Sequence, residues 1–121
     1  MTDPKTGDMT GVQRTYLAAD GSKIERKMIG HWGVVHVTPD EEVCEGLGIS
    51  EGVENAIAVL THGWAPVWAT MCAGNMSKFP VLSGIEALTI FYDRDESGTG
   101  RKAAEDCASR WHNAGREVWL K

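Results

Sequence analysis

A chain of 121 residues with an apolar fraction of 42% and five Trp can form one domain with a real core, or one domain plus a small appendage. Its formal net charge of −5 argues against a general polyanion binder but leaves nucleic acid open, because a bound metal can supply local positive charge. No apolar run approaches the roughly 18 residues of a membrane span, no signal peptide is visible, and three widely spaced cysteines (Cys44, Cys72, Cys107) fit neither a disulfide framework nor a zinc site, so a cytoplasmic protein with reduced thiols and no membrane partner is expected.

In chain order, residues 1–11 are polar, with Pro4, Gly7 and Gly11, and are expected to form a disordered leader. Residues 12–40 read as a β-rich extension. Val12–Leu17 and Ile24–Ile29 are strands that pair as a hairpin around the turn Ala19-Asp20-Gly21-Ser22, and Val34–Thr38 is a third short strand. Residues 41–121 read as the main domain. Leu47–Ser50 is a short strand weakened by its glycines. From Val53 the apolar period changes to that of a helix, with Val53, Ala56, Ile57 and Leu60 on one face and Gly63 at its end. Val67–Cys72 is a buried strand, Ala73-Gly74-Asn75 a tight turn, and Met76–Phe79 at most one helical turn. Glu86–Tyr92 is the third strand of this domain. A second helix spans about Gly100 to Asn113 with Ala104, Cys107, Ala108 and Trp111 inward, Gly115 stops it, and Arg116–Leu120 is the last strand. The chain stops one residue past this strand, which reads as a domain cut from a longer protein or a very short reading frame.

Strands that alternate with helices and are apolar on both faces imply an α/β, Rossmann-like fold. The sheet is expected to be mostly parallel and four-stranded, flanked by helices, with order 2-1-3-4 and a hairpin-like extension at the N-terminus. In such sheets, sites form beyond the carboxyl ends of the strands at a topological switch point. Glu51 follows the first of these strands, and Asp93 and Asp95 follow the third. In extended chain, residues i and i+2 point to one side roughly 6.5–7 Å apart, so Asp93 and Asp95 can share one cation or flank two. Hard oxygen ligands in this number suit Mg²⁺ or Mn²⁺ and the clamping of phosphate. Taken singly, Asp-x-Asp-x-Ser-Gly is also an ordinary turn and helix entry, and Glu51 alone could serve only a helix dipole.

Ile49-Ser50-Glu51-Gly52-Val53-Glu54-Asn55-Ala56, followed well downstream by Asp93-Arg94-Asp95-Glu96-Ser97-Gly98, resembles the Toprim domain, most closely that of phage- and plasmid-type DNA primase/helicase proteins. Gln13–Leu17, Arg26–Gly30, Pro66–Ala69 and Ala73–Asn75 extend the resemblance over residues 12–120. It implies a general acid/base and metal-ligand role for Glu51 and Mg²⁺ coordination by Asp93 and Asp95. The family's glycines fall on Gly52 and Gly98, where they allow close backbone approach. Glu54 stands where many members have Asp or Thr and takes no chemistry. The implied activity is Mg-dependent nucleotidyl transfer, primer synthesis within a DNA primase/helicase, acting on single-stranded DNA and nucleotides beside a helicase domain in the same or a partner chain. A Toprim-type nuclease, or a metal- and nucleic-acid-binding module inactive on its own, are the alternatives.

Four further residues are candidates for substrate or phosphate contact. Arg94 lies between the aspartates and either touches phosphate or packs outward. Arg101 and Lys102 begin the second helix, near phosphate or on a solvated face. Asn75 either hydrogen-bonds substrate or serves a turn. Trp32, in a loop flanked by glycines, is the best base-stacking candidate, while Trp64, Trp68, Trp111 and Trp119 read as core or rim. The histidines have no spacing of a metal cage, and no phosphate-binding loop ending in Lys-Ser/Thr is present, so a helicase motor would lie outside this chain.

Overall fold

The structure is a computed structural model and describes residues 1–30, 33–39, 43–94 and 97–121. Strands β1 (Gly11–Leu17) and β2 (Lys23–Gly30) form an antiparallel hairpin in register from Gly11↔Gly30 to Leu17↔Lys23. Gly21, with φ 87°, makes the reversal that a side chain would resist. The Asp20 carboxylate accepts bonds from the Ser22 amide (2.9 Å) and hydroxyl (2.6 Å) to close the turn. The hairpin buries little, with Val12, Leu17 and Ile29 about half exposed. Of residues 1–11, expected as a disordered leader, Gly11 instead begins β1 and residues 1–10 fold back, where Thr2 bridges Met9 and Val34 and the terminal ammonium donates to the Gly11 carbonyl at 2.9 Å.

The rest of the chain is the α/β body. Strands β3 (Gly46–Ser50), β4 (Val67–Ala69), β5 (Ala87–Phe91) and β6 (Glu117–Leu120) make one parallel sheet in the order β4-β3-β5-β6, which is second, first, third, fourth within this sheet. Helices α1 (Val53–Thr61), α2 (Ala73–Lys78) and α3 (Thr99–Asn113) connect them. Alternation sends Leu47, Ile49, Leu88 and Ile90 to one face, where they pack with Trp68 against Met76 of α2 and Ala103, Ala104, Cys107 and Trp111 of α3. Each fully buried aliphatic side chain here contributes about 1.5–3 kcal/mol. The rings of Phe79 and Trp111 stack with centroids 6.0 Å apart and planes 5° from parallel, fixing α3 over the end of α2. A smaller cluster forms on the other face, where Ala56 meets Val67, Ala69 and Met71, with Val53, Val59 and Leu60 around it.

Four local expectations are corrected. Ile57 does not join the buried face of α1 and is 50% exposed, because α1 lies over the β4 side of the sheet and presents Val53, Ala56, Val59 and Leu60 instead. Val34–Thr38 is not a strand. Val34 makes a single bridge to Thr2 and Val35 a single bridge to Ala69 (2.8 and 2.9 Å), after which the Thr38 hydroxyl accepts from the Val67 amide at 2.9 Å and the Thr38 carbonyl accepts from the Trp68 indole at 3.1 Å. The segment caps the outer edge of β4 partly through a side chain, so its β-branched composition does not yield a regular ladder. Finally, β4 ends at Ala69, since Met71 takes a left-handed φ of 82°, and the expected turn Ala73-Gly74-Asn75 is the first part of α2. No helix among the described residues is long and apolar enough to cross a membrane.

Candidate functional site

β3 and β5 are neighbours in parallel register, with Ser50 opposite Phe91. Glu51 therefore leaves β3 level with Tyr92, and Asp93 leaves β5 one residue further on. With strands about 4.8 Å apart and a rise of about 3.3 Å per residue, the two backbones open onto one point at the carboxyl end of the sheet. Ser50 is buried, and its hydroxyl donates to the Gly52 carbonyl at 2.9 Å, shaping the bend that carries Glu51 into α1. On the far side of β3, Thr70 donates to the Ser50 carbonyl through its amide (2.8 Å) and its hydroxyl (3.1 Å), so the strand end is held from both directions. Glu51 itself is half-buried.

Asp93 is exposed, and one of its carboxylate oxygens accepts a 2.7 Å bond from the Asn55 amide nitrogen in the first turn of α1. That bond joins the element that follows Glu51 to the strand that presents Asp93. From the other side, the first turn of α3 rests on the Asp93 backbone: a Cβ placed on Gly100 would lie 2.7 Å from the Asp93 carbonyl oxygen. Gly98 begins α3 in the left-handed region (φ 71°), which favours glycine, and the Ser97 and Thr99 hydroxyls lie 3.0 Å apart beside it. Gly52 has an extended φ of −106°, and its nearest obstacle is a Glu54 oxygen at 3.4 Å, so crowding does not require a glycine there. Glu54, given no chemistry, pairs with Lys23 of the hairpin at 2.6 Å.

The remaining candidates divide among different surfaces. The Arg94 guanidinium lies 5.9 Å from the centre of the Tyr92 ring, so Tyr92 and Arg94 share one side of the extended segment. Together with Gly98 and Arg101 they line an open cavity of ≈ 490 Å³. Arg101 pairs with Glu105 at 3.0 Å, and that bond raises its guanidinium pKa further above the ordinary value. Lys102 faces a separate groove of ≈ 410 Å³ between α2 and α3, together with Ser77, Ser97, Thr99 and Asp106. Asn75 sits within α2, half-buried. A roomier cavity of ≈ 640 Å³ lies at the amino ends of β3 and β5, away from Glu51 and Asp93, and has no carboxylate in its lining. Asp95 and the base-stacking candidate Trp32 lie outside the described residues. Trp68 and Trp111 are buried, and Trp64 and Trp119 lie at the rim, 38% and 55% exposed.

The donor set fits a small hard cation: two carboxylates at adjacent strand ends, one already oriented by an amide. Mg²⁺ takes one or two protein carboxylates and keeps water or phosphate in its other positions. Among the described residues no group of three or more His, Cys, Asp or Glu side chains is placed to hold a metal ion. Asn55 and Gly100 were missed in the sequence. The only signal for Asn55 was its place one turn after Glu51, and Gly100 reads as an ordinary helix glycine until α3 is docked on β5.

A family model described as a Toprim domain matches residues 46–120, which include Glu51, Asn55 and Asp93. No curated protein and no solved structure matches the chain.

Proposed function

The chain belongs to the Toprim family, and from that premise we propose that it is a catalytic domain for Mg²⁺- or Mn²⁺-dependent nucleotidyl transfer, making primers on single-stranded DNA as part of a DNA primase/helicase. One observation carries this reading: β3 and β5 are adjacent and parallel, so Glu51 and Asp93 leave the sheet side by side, with Asn55 bridging to Asp93.

In this reading Glu51 and Asp93, with Asp95 beyond them in sequence, hold the cation. When bound, the cation stabilises the negative charge that builds on the phosphoryl oxygens. Glu51 accepts the proton of the attacking hydroxyl as general base. Asn55 fixes the rotamer of Asp93, so that its second oxygen faces outward without a reorganisation cost. Arg94 and Arg101, across the strand end from Asn55, receive the phosphate chain of the incoming nucleotide, with Gly98 letting it approach the α3 backbone. Gly52, Lys102 and Asn75 are the more distant phosphate or substrate contacts.

The second reading is a metal- and nucleic-acid-binding module that is inactive alone. The net charge of −5 favours it, because template grip would then come from neighbouring domains. The test is incubation with single-stranded DNA, ribonucleotides and Mg²⁺, with Glu51→Gln as the comparison. Ribonucleotide products that disappear in Glu51→Gln support primer synthesis. Shortened DNA that depends on Glu51 assigns the same carboxylates to a nuclease. Neither product, with metal and DNA still bound, supports the module.

A further inference from the structure

The two edges of the main sheet are treated differently. The β4 edge is covered by Val35 and Thr38, whereas among the described residues nothing pairs with the outer edge of β6. The Glu117 amide donates to the Glu86 carbonyl and the Lys121 amide to the Ile90 carbonyl, both at 2.9 Å, so residues 117 and 121, and Trp119 between them, direct their backbone groups at β5. By alternation, Val118 and Leu120 direct theirs outward. This edge also exposes apolar surface, with Trp119 55% and Leu120 43% exposed. On the sheet face not covered by α2 and α3, Trp64 and Trp119 rim an open cavity of ≈ 520 Å³ floored by Gly46, Gly48, Ala87 and Thr89.

The edge sequence Glu117-Val118-Trp119-Leu120-Lys121 is complementary to itself when run antiparallel. Centred on Trp119, the pairing sets Glu117 opposite Lys121 of a second copy at both ends and Val118 opposite Leu120. Trp119 meets its own counterpart at the closer, non-hydrogen-bonded position. The outward groups of Val118 and Leu120 are the ones such a pairing needs. A two-fold axis perpendicular to the sheet keeps both Trp119 side chains on the same face. Charge, hydrogen-bond phase and side-chain facing thus agree on one register.

We propose that β6 is a self-association edge, through which two copies of this chain join their sheets antiparallel about Trp119. The inference is independent of the catalytic reading, since Glu51 and Asp93 lie outside β6. The test is light scattering of the whole chain over micromolar to millimolar concentration, starting from the monomer mass of 13.2 kDa. The wild type is expected to rise toward twice that mass. Glu117→Lys and Lys121→Glu each set like charges opposite one another at both ends of the pairing and weaken the dimer about tenfold. The double variant exchanges the charges and restores it. Leu120→Pro removes an outward amide that β5 does not use and leaves a folded monomer. Glu51→Gln dimerises like the wild type. A chain that stays at 13.2 kDa up to millimolar concentration overturns the proposal. So does a dimer that both single charge reversals leave unchanged, which would place the contact on another face.

Discussion

Gly100→Ala is the sharpest probe of how the site is held. The added Cβ would lie 2.7 Å from the Asp93 carbonyl oxygen, where ordinary contact begins at 3.4 Å, so α3 and the end of β5 must separate by roughly 0.7 Å. Overpacking of this kind costs about 1–3 kcal/mol. The better helix propensity of alanine offsets about 1 kcal/mol of it. A net loss of roughly 0–2 kcal/mol follows, equivalent to a fall in Tm of up to about 8 °C for a domain of this size. Under the proposed function the effect on activity is larger than the effect on stability, because a shift approaching 1 Å at a reacting centre can lower turnover about a hundredfold. Gly74→Ala is the comparison: it too is a helix glycine, but its Cβ would sit 3.9 Å from the Cys72 sulfur, in ordinary contact. That variant should gain up to about 1 kcal/mol. Thermal unfolding, the amide shift of Asp93 and the rate of ribonucleotide incorporation report the three effects. A Gly100→Ala protein with unchanged Tm, unchanged Asp93 shift and unchanged rate would refute the steric argument.

Three other outcomes are expected. Asn55→Ala removes a bond between exposed side chains, so stability should change by less than about 1 kcal/mol while turnover falls about tenfold, a split read by parallel melting and rate measurements. Trp111→Ala should cost about 3–5 kcal/mol in denaturant unfolding, because the ring is fully buried and stacked on Phe79. Trp111→Phe should cost well under half of that, since it keeps the stack and removes an indole N–H that has no partner among the described residues. Burial pushes the Cys107 thiol from an ordinary 9.0 up to about 12, against a smaller opposing pull from Arg110. The unfolded chain therefore loses this proton first, and stability should fall as pH rises from about 9 toward 12 in the wild type but less in Cys107→Ala. At pH 8 a thiol reagent should label the exposed Cys44 and Cys72 quickly and Cys107 only on unfolding.

The sheet was readable because its signals are local. The apolar run at β5, the helical period of α3 with Gly115 behind it, and the two-residue rhythm of the hairpin each sit within one element. The side-by-side exit of Glu51 and Asp93 was readable because parallel strands joined by helices admit few orders. What was hidden depends on packing between distant segments. Ile57 matches the helical period as well as Val59 does, and only the placement of α1 over β4 decides which is buried. Thr38 caps an edge through its hydroxyl, which no strand pattern encodes. The end of β4 is set by a left-handed methionine, a conformation that sequence does not announce. Asn55 finds its partner 38 residues away, and Gly100 gains its meaning from the carbonyl it rests against.

The proposed function requires the ends of β3 and β5 to form one cation site. Paramagnetic broadening of amide resonances by Mn²⁺ tests it most directly. Submillimolar Mn²⁺ should broaden residues around Glu51 and around Asp93 together, excess Mg²⁺ should reverse the effect, and either Glu51→Gln or Asp93→Asn should weaken it at both strand ends. Broadening confined to one strand end, or centred elsewhere on the chain, or absent at millimolar metal, would contradict it.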